Sequence, residues 1–295
     1  MVRYRRDRSH VADKFIGIGA QKAGTTWLSE YLFKHPEVFM SPYKEVHFFN
    51  RWQGQLNNLF ALRLWWKRRS IHLAKYGAAN HVRSEEQSRA LHSLFLRSAL
   101  GSEGAYRKFI GYFDDRVKIA GEITPTYTDL GAREFAEMDR VLPGARFIVL
   151  LRNPVDRFLS QRNMDSAKGS KRVEMDVTAL AMNPRYVRRS DYRRTLTELF
   201  SVIPRDRVHI EFYDRLFSPT GHESALRAIC EFMGIENRPG DVGYVSNPGK
   251  ADLPCDDADR LRLAHLYAPT FEYVDGLFDG DLPDSWRHDL ERLGS

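Results

Sequence analysis

Cysteine and long apolar runs are both scarce in this sequence, and each scarcity removes a class of protein. Two cysteines in 295 residues, Cys230 and Cys255, cannot build the multi-bridge framework of a small secreted domain. One bridge between them stays open, and two buried thiols in a reducing cytosol is the simpler expectation. No stretch approaches the 18 or so uninterrupted apolar residues that a bilayer span needs, so no transmembrane helix is expected. The start, "MVRYRRDRSHVADK", is basic and then polar, and lacks the apolar core of a secretory signal. A cytoplasmic protein without a membrane anchor is the resulting expectation. An excess of one charge is also missing. The balance of 45 basic and 39 acidic residues, net +6, favours anionic ligands without demanding nucleic acid. There is no internal repeat and no low-complexity segment.

What is present is an ordinary soluble composition, 42% hydrophobic and 28% charged, in a chain long enough for one large domain. Such a domain buries about 75% of its unfolded surface. "KFIGIGA" is a β-rich run ending in a glycine loop, after which Trp27, Leu28, Tyr31 and Leu32 recur at helical spacing until Pro36. "VKIAGEIT" (117–124) and "ARFIVLLRN" (145–153) are continuous apolar strands of the kind buried in parallel sheets. Helical stretches follow both, and "RVHIEFYDRL" (207–216) with "HESALRAICEFMGI" repeats the alternation. The expectation is therefore an α/β fold: a P-loop-like, mostly parallel sheet with helices on both faces. Residues 51–105, rich in Trp, Arg, His and Ser, read as a helical insertion, and 256–278 as a final amphipathic helix packed on one domain spanning 1–295.

The loop after the first strand resembles a phosphate-binding loop with its lysine displaced. A Walker-type loop reads G-x-x-x-x-G-K-[S/T]. Here the frame is Gly19-Ala-Gln-Lys22-Ala-Gly24-Thr25-Thr26, with Thr25 where that lysine belongs and Lys22 inside the loop. Joining strand 15–20 to helix 25–35, the loop aims backbone N–H groups and the positive helix end at an oxyanion. Gly19 and Gly24 let the backbone approach it, Thr25 and Thr26 add hydroxyls, and Lys22 reaches in from the flank. An ATPase or kinase would also want an acidic residue ending a nearby strand to hold Mg²⁺. "ARFIVLLRN" ends in Arg152 instead. No metal is expected in a site built from cations and N–H groups, and such a site suits a phosphosulfate.

"GAQKAGTT" with "HPEVFMSPYKEVHFFN" resembles the nucleotide-dependent sulfotransferases, particularly the heparan sulfate 3-O- and N-sulfotransferases. The similarity continues through "EITPTY" (122–127), "LLRNPVDRFLS" (150–160) and "SDYRRTLTELFSVIPRDRVHIEFYDRL" (190–216), from about residue 14 to 235 in family order. It implies 3′-phosphoadenosine 5′-phosphosulfate as donor, its 5′-phosphosulfate held by Gln21, Lys22, Ala23, Gly24, Thr25 and Thr26. Arg152 and Ser160 match the residues that hold the 3′-phosphate, a surface ion pair of Arg152 with Asp156 being the other reading. The family's late Lys–Gly pair appears reversed, as Gly249-Lys250 in "SNPGKADLP", where a solvated turn is the alternative.

Sulfuryl transfer to a hydroxyl needs a cation at the leaving oxygen and a base for the acceptor proton. Lys22 supplies the first. The resemblance puts the base at Glu45 of "KEVHFF", with His47 as rival because histidine fills the role in cytosolic small-molecule sulfotransferases. An extended 45–49 would turn Glu45 and His47 to the same side, with Phe48 and Phe49 packed beneath. The family's E-K-[TS] segment is Glu122-Ile123-Thr124 here, so a lysine is missing. Glu122 is a candidate for the acceptor side, an internal structural acid being the other reading.

For the acceptor, the densest basic–aromatic stretches are "LRLWWKRRSIH" (62–72) and "NPRYVRRSDYRR" (183–194). Trp65 and Trp66 would stack on sugar rings, while Arg68, Arg69, Arg188 and Arg189 meet anionic groups. Solvated helix faces, or peripheral contact with a membrane surface, are the competing readings. The expected partner is a small-molecule or glycan acceptor, with no nucleic acid. A Mg²⁺-dependent nucleotide kinase on the same sheet is the alternative function, and a non-catalytic basic nucleic-acid-binding module is a third.

Overall fold

Apolar runs pair into one parallel sheet, because a strand with helices on both faces hides its whole surface from water. The structure, a computed structural model, describes residues 11–50, 81–241 and 253–294. Strands β1 (Asp13–Gly19), β2 (Val38–Met40), β3 (Ile119–Ile123), β4 (Arg146–Leu151) and β5 (Val208–Phe212) lie in the order β2-β3-β1-β4-β5. Every neighbouring pair is parallel, with Phe15 opposite Gly121 on one side and Arg146 on the other. Phe15, Ile16 and Ile18 of the central β1 are wholly buried, which contributes about 1.5–3 kcal/mol for each side chain.

The four strands expected from sequence are present. The last is shorter than its apolar run: it stops at Phe212, and Tyr213–Leu216 coils into a short helix. The three-residue β2 was not expected. It lies between Pro36 and Pro42 and is too short to show a period.

Helix α1 (Thr25–Lys34) returns the chain from β1, burying Trp27, Leu28 and Leu32 on the spacing that the sequence displays. Of the insertion expected over 51–105, residues 51–80 lie outside the described residues. From 81 onward it is helical: α2 (Glu85–Ala99) starts where Ser84 accepts from the Gln87 N–H, and α3 (Glu103–Ile110) where Ser102 accepts from the Ala105 N–H. Both helices pack inward, with Phe95 stacked on Tyr43 at 4.0 Å between ring centroids. After β4 come α4 (Pro154–Ala167), α5 (Pro184–Ser190) and α6 (Tyr192–Phe200). The helix expected over 256–278 is α7 (Asp257–Leu277), capped by Asp256 and burying Leu263, Tyr267, Phe271 and Val274. It is followed by α8 (Asp284–Glu291). Cys230 and Cys255 are both free thiols, but only Cys230 is buried as expected, Cys255 being half-buried.

From β1 the chain moves to the β3 side of the sheet, and after β3 it crosses to the β4 side. The crevice between the carboxyl ends of β1 and β4 is therefore a topological switch point, the place where open α/β sheets bind ligands.

Candidate active site

The loop between β1 and α1 opens directly on that crevice. Lys22 and Gly24 have left-handed backbones, φ 70° and 81°. Gly24 is the residue before the first turn of α1, and a Cβ there would come within 2.4 Å of the Phe217 ring. Having no side chain, it leaves the helix end uncapped, and the first turn contains no acid. The first N–H groups of a helix have no acceptor within it, so a glycine cap leaves them for a partner other than the cap side chain. Ala23 and Thr25 are buried, while Gln21, Lys22 and Thr26 are half-buried.

Strand β4 delivers Arg152 to the same place. Its Nη1 donates to the Lys22 carbonyl at 3.1 Å, and its guanidinium lies 4.5 Å from the Tyr213 ring centre. The expected alternative partner, Asp156, is taken by Arg260 at 2.8 Å, and Arg260 also binds the buried Asp289 at 2.6 Å. Among the described residues, no carboxylate forms an ion pair with Arg152. Unlike α1, helix α4 is capped: Asn153 Oδ1 accepts from the Val155 and Asp156 N–H groups, and Asn153 Nδ2 donates to Asp289. An anion at this second turn therefore meets side chains, those of Arg152 and the half-buried Ser160, and not a free helix end.

The electrostatics follow from this crowding of cations. Burial pulls the Lys22 ammonium below its usual range, and Arg152, Lys168 and Arg157 lower it further, against Asp165. Arg157 is itself wholly buried, with Nε donating to Ser190 Oγ at 2.6 Å and Nη1 without a partner among the described residues. A group of poorly neutralised cations beside free N–H donors is what an oxyanion completes.

The third wall is the segment after β2. Glu45 and His47 do not have the extended backbone under which sequence alone would turn them to one side. Both have left-handed backbones, φ 58° and 57°. Their side chains still converge, with Glu45 Oε2 3.4 Å from His47 Nε2, because two left-handed residues fold the segment back on itself. His47 Nδ1 lies 2.9 Å from Asn50 Oδ1 and 3.2 Å from Thr126 Oγ1, so the ring is anchored by the nitrogen facing away from Glu45. Lys44 Nζ donates to Thr26 Oγ1 at 2.5 Å and ties this segment to the glycine loop. Phe48 and Phe49 are buried beneath, Phe48 stacked on Tyr106 at 4.1 Å. Of the four non-glycine residues with positive φ among the described residues, three are Lys22, Glu45 and His47. Left-handed backbone at non-glycine residues is one mark of functional sites.

Other expected site residues are placed elsewhere. Glu122 does not face an acceptor: it is 0% exposed, because three hydroxyl groups surround its carboxylate inside the fold. Arg189 sits on α5 in an ion pair with Asp129 at 3.5 Å, both side chains mostly buried, whereas Arg188 is exposed. Arg68, Arg69, Gly249 and Lys250 lie outside the described residues. Lys44, Asn50, Thr126 and Arg157 were not singled out from sequence. Lys44 and Asn50 flank the Glu45 motif directly, and that adjacency was the available signal.

Comparison with known proteins agrees with this architecture. A family model described as Sulfotransferase family matches residues 15–239. The membrane-associated sulfotransferase kil1 of Dictyostelium discoideum is 28% identical over 147 residues, which are 50% of this chain and 22% of that protein. The chain thus spans about a fifth of the length of that relative. The crystal structure of a sulfotransferase from Alicyclobacillus acidocaldarius superposes with a TM-score of 0.63 at 20% identity, over 93% of this chain and 98% of the other. That likeness concerns the fold.

Proposed function

Because the chain belongs to the sulfotransferase family, we propose that it moves a sulfuryl group from 3′-phosphoadenosine 5′-phosphosulfate to a hydroxyl or amine of a carbohydrate or glycosylated acceptor. One observation carries the donor half of this reading: the uncapped end of α1 stands beside Lys22, and the cations acting on that lysine, Arg152, Lys168 and Arg157, outweigh the carboxylate of Asp165. The bound donor supplies an activated sulfuryl group on a phosphate leaving group. In this reading the α1 N–H groups, Lys22, Thr25 and Thr26 bind the phosphosulfate. Lys22 also stabilises charge gathering on the bridging oxygen, as a preorganised cation does for a phosphoryl group. Arg152 and Ser160 bind the 3′-phosphate, the mark separating this donor from ATP.

Glu45 takes the acceptor's proton, a role that contributes about 10²–10⁴ in rate. His47, fixed through Asn50 and Thr126, holds the Glu45 carboxylate in place. The acceptor half rests on the exposed Arg188 and on net basic charge, which suit an anionic glycan.

The test is incubation with labelled phosphosulfate donor and a panel of acceptors, alongside thermal scans with 3′-phosphoadenosine 5′-phosphate. The bisphosphate should raise the melting temperature without Mg²⁺, since a ligand bound only by the native state stabilises it. Glu45→Gln should lose turnover and keep that stabilisation. A stabilisation stronger with ATP and dependent on Mg²⁺ overturns the reading. Near-normal turnover by Glu45→Gln beside an inactive His47→Ala moves the base to His47.

A further inference from the structure

The proposed chemistry leaves Glu122 unused, although a fully buried carboxylate is costly to keep. It has no ion-pair partner among the described residues, and its neighbours are hydroxyl groups. Tyr106 and Tyr127 each donate to Oε1 at 2.9 Å, and Thr124 donates to Oε2 at 2.6 Å. Burial pushes the carboxyl upward, and these three donors work against that shift by favouring the charged form.

A hydroxyl has one proton. Once that proton is given to Glu122, the oxygen can offer only lone pairs to its other neighbours. Two of these oxygens have such neighbours, and both neighbours lie in the segment holding Glu45 and His47. The His47 N–H donates to Thr124 Oγ1 and the Phe49 N–H to Tyr127 Oη, each at 3.4 Å. Between them, the Phe48 ring lies on Tyr106, 9° from parallel. Residues 47, 48 and 49 therefore each rest on a residue that Glu122 holds.

We infer that Glu122 is a positioning residue: by drawing the Thr124 and Tyr127 hydroxyl protons to itself, it leaves acceptors for the His47 and Phe49 N–H groups and so fixes the backbone that presents Glu45 and His47. A donor in place of one carboxylate oxygen would turn a hydroxyl proton back toward an N–H and set donor against donor. The inference rests on the reading of 45–50 as the segment that supplies the base, so its test has one readout independent of turnover.

That readout is amide hydrogen exchange, followed by NMR on the full chain. In Glu122→Gln, exchange at His47 and Phe49 should quicken by about tenfold or more while β1 amides keep their protection, as in local opening. Thr124→Val should quicken His47 alone and Tyr127→Phe should quicken Phe49 alone, a pattern that general destabilisation does not produce. These two variants decide the matter if Glu122→Gln fails to fold. Turnover of Glu122→Gln should fall by about tenfold to a hundredfold at unchanged donor KM, the scale expected from a slightly misplaced group. Unchanged exchange at both amides, or a uniform rise across the sheet, overturns the inference. Selective exchange with unchanged kcat upholds the positioning and removes the catalytic role given to 45–50.

Discussion

Lys22 destabilises the fold that holds it. Its ammonium is partly buried among other cations, so the folded state releases the proton more readily than the unfolded chain, whose lysine titrates near 10.5. Below the folded pKa the charged form therefore costs stability, and stability rises with pH between the folded and unfolded values, where the unfolded chain binds the extra proton. Lys22→Met should melt above the wild type at neutral pH, with the gain shrinking toward pH 10.5, and it should lose stabilisation by 3′-phosphoadenosine 5′-phosphate. Thermal scans across pH check this, and a lower melting temperature at neutral pH would sink it. Arg152 is freed from competition because Arg260 occupies Asp156. Arg152→Ala should weaken the 3′,5′-bisphosphate by about 1.5–3 kcal/mol, the worth of a hydrogen bond to a charged group. Adenosine 5′-phosphate should lose much less, and equal losses in calorimetric titration would place the 3′-phosphate elsewhere.

The two strand-to-helix turns show how local chemistry divides labour between elements. Helix α4 spends its first N–H groups on Asn153, whereas the cap of α1 is a glycine with no side chain to accept them. That glycine answers two demands, a left-handed φ and the nearness of Phe217, and an alanine satisfies neither. Gly24→Ala should cost about 1–2 kcal/mol from the left-handed backbone alone, and further loss should come from displacing the Phe217 ring. A denaturant melt and a bisphosphate titration measure the two effects. Full stability with full affinity would mean that the loop tolerates the methyl group.

Across the molecule, the parallel sheet gathers the glycine loop, the Arg152 turn and the 41–50 segment at the carboxyl ends of its strands. Because Arg188 is exposed and Arg189 is engaged with Asp129, Arg188 is the better candidate for acceptor contact in that stretch. Arg188→Ala should raise the acceptor KM and leave the donor KM unchanged. Added salt should mimic it, since exposed charges are screened within about 8–10 Å near physiological ionic strength. An acceptor KM indifferent to both treatments points to a small neutral hydroxyl compound.

How much of this was legible depends on the range of the interactions involved. Strand β1, helix α1 and the glycine loop between them could be read directly, because period, cap and loop are set by neighbours in the chain. The displaced Lys22 and the arginine just after β4 are likewise matters of position and are the basis for expecting an anion site, while the alternation of strands and helices pointed to the α/β fold that the structure has. The backbone of Glu45 and His47 was out of reach. Their left-handed turns are held by Thr124, Thr126 and Tyr127, about 80 residues away and adjacent only after β2 and β3 pair. Glu122 illustrates the same limit. Nothing local distinguishes a carboxylate that faces a ligand from one that three hydroxyls enclose, and that choice is made when helix α3 and strand β3 pack together. Asp156 is a further case, since Arg260 claims it from another helix. Sequence by itself determined most of the elements and the residue types gathered in their loops, because those depend on short-range geometry. Tertiary structure alone decided which charges are paired and which stay open, because partners in space compete for each one.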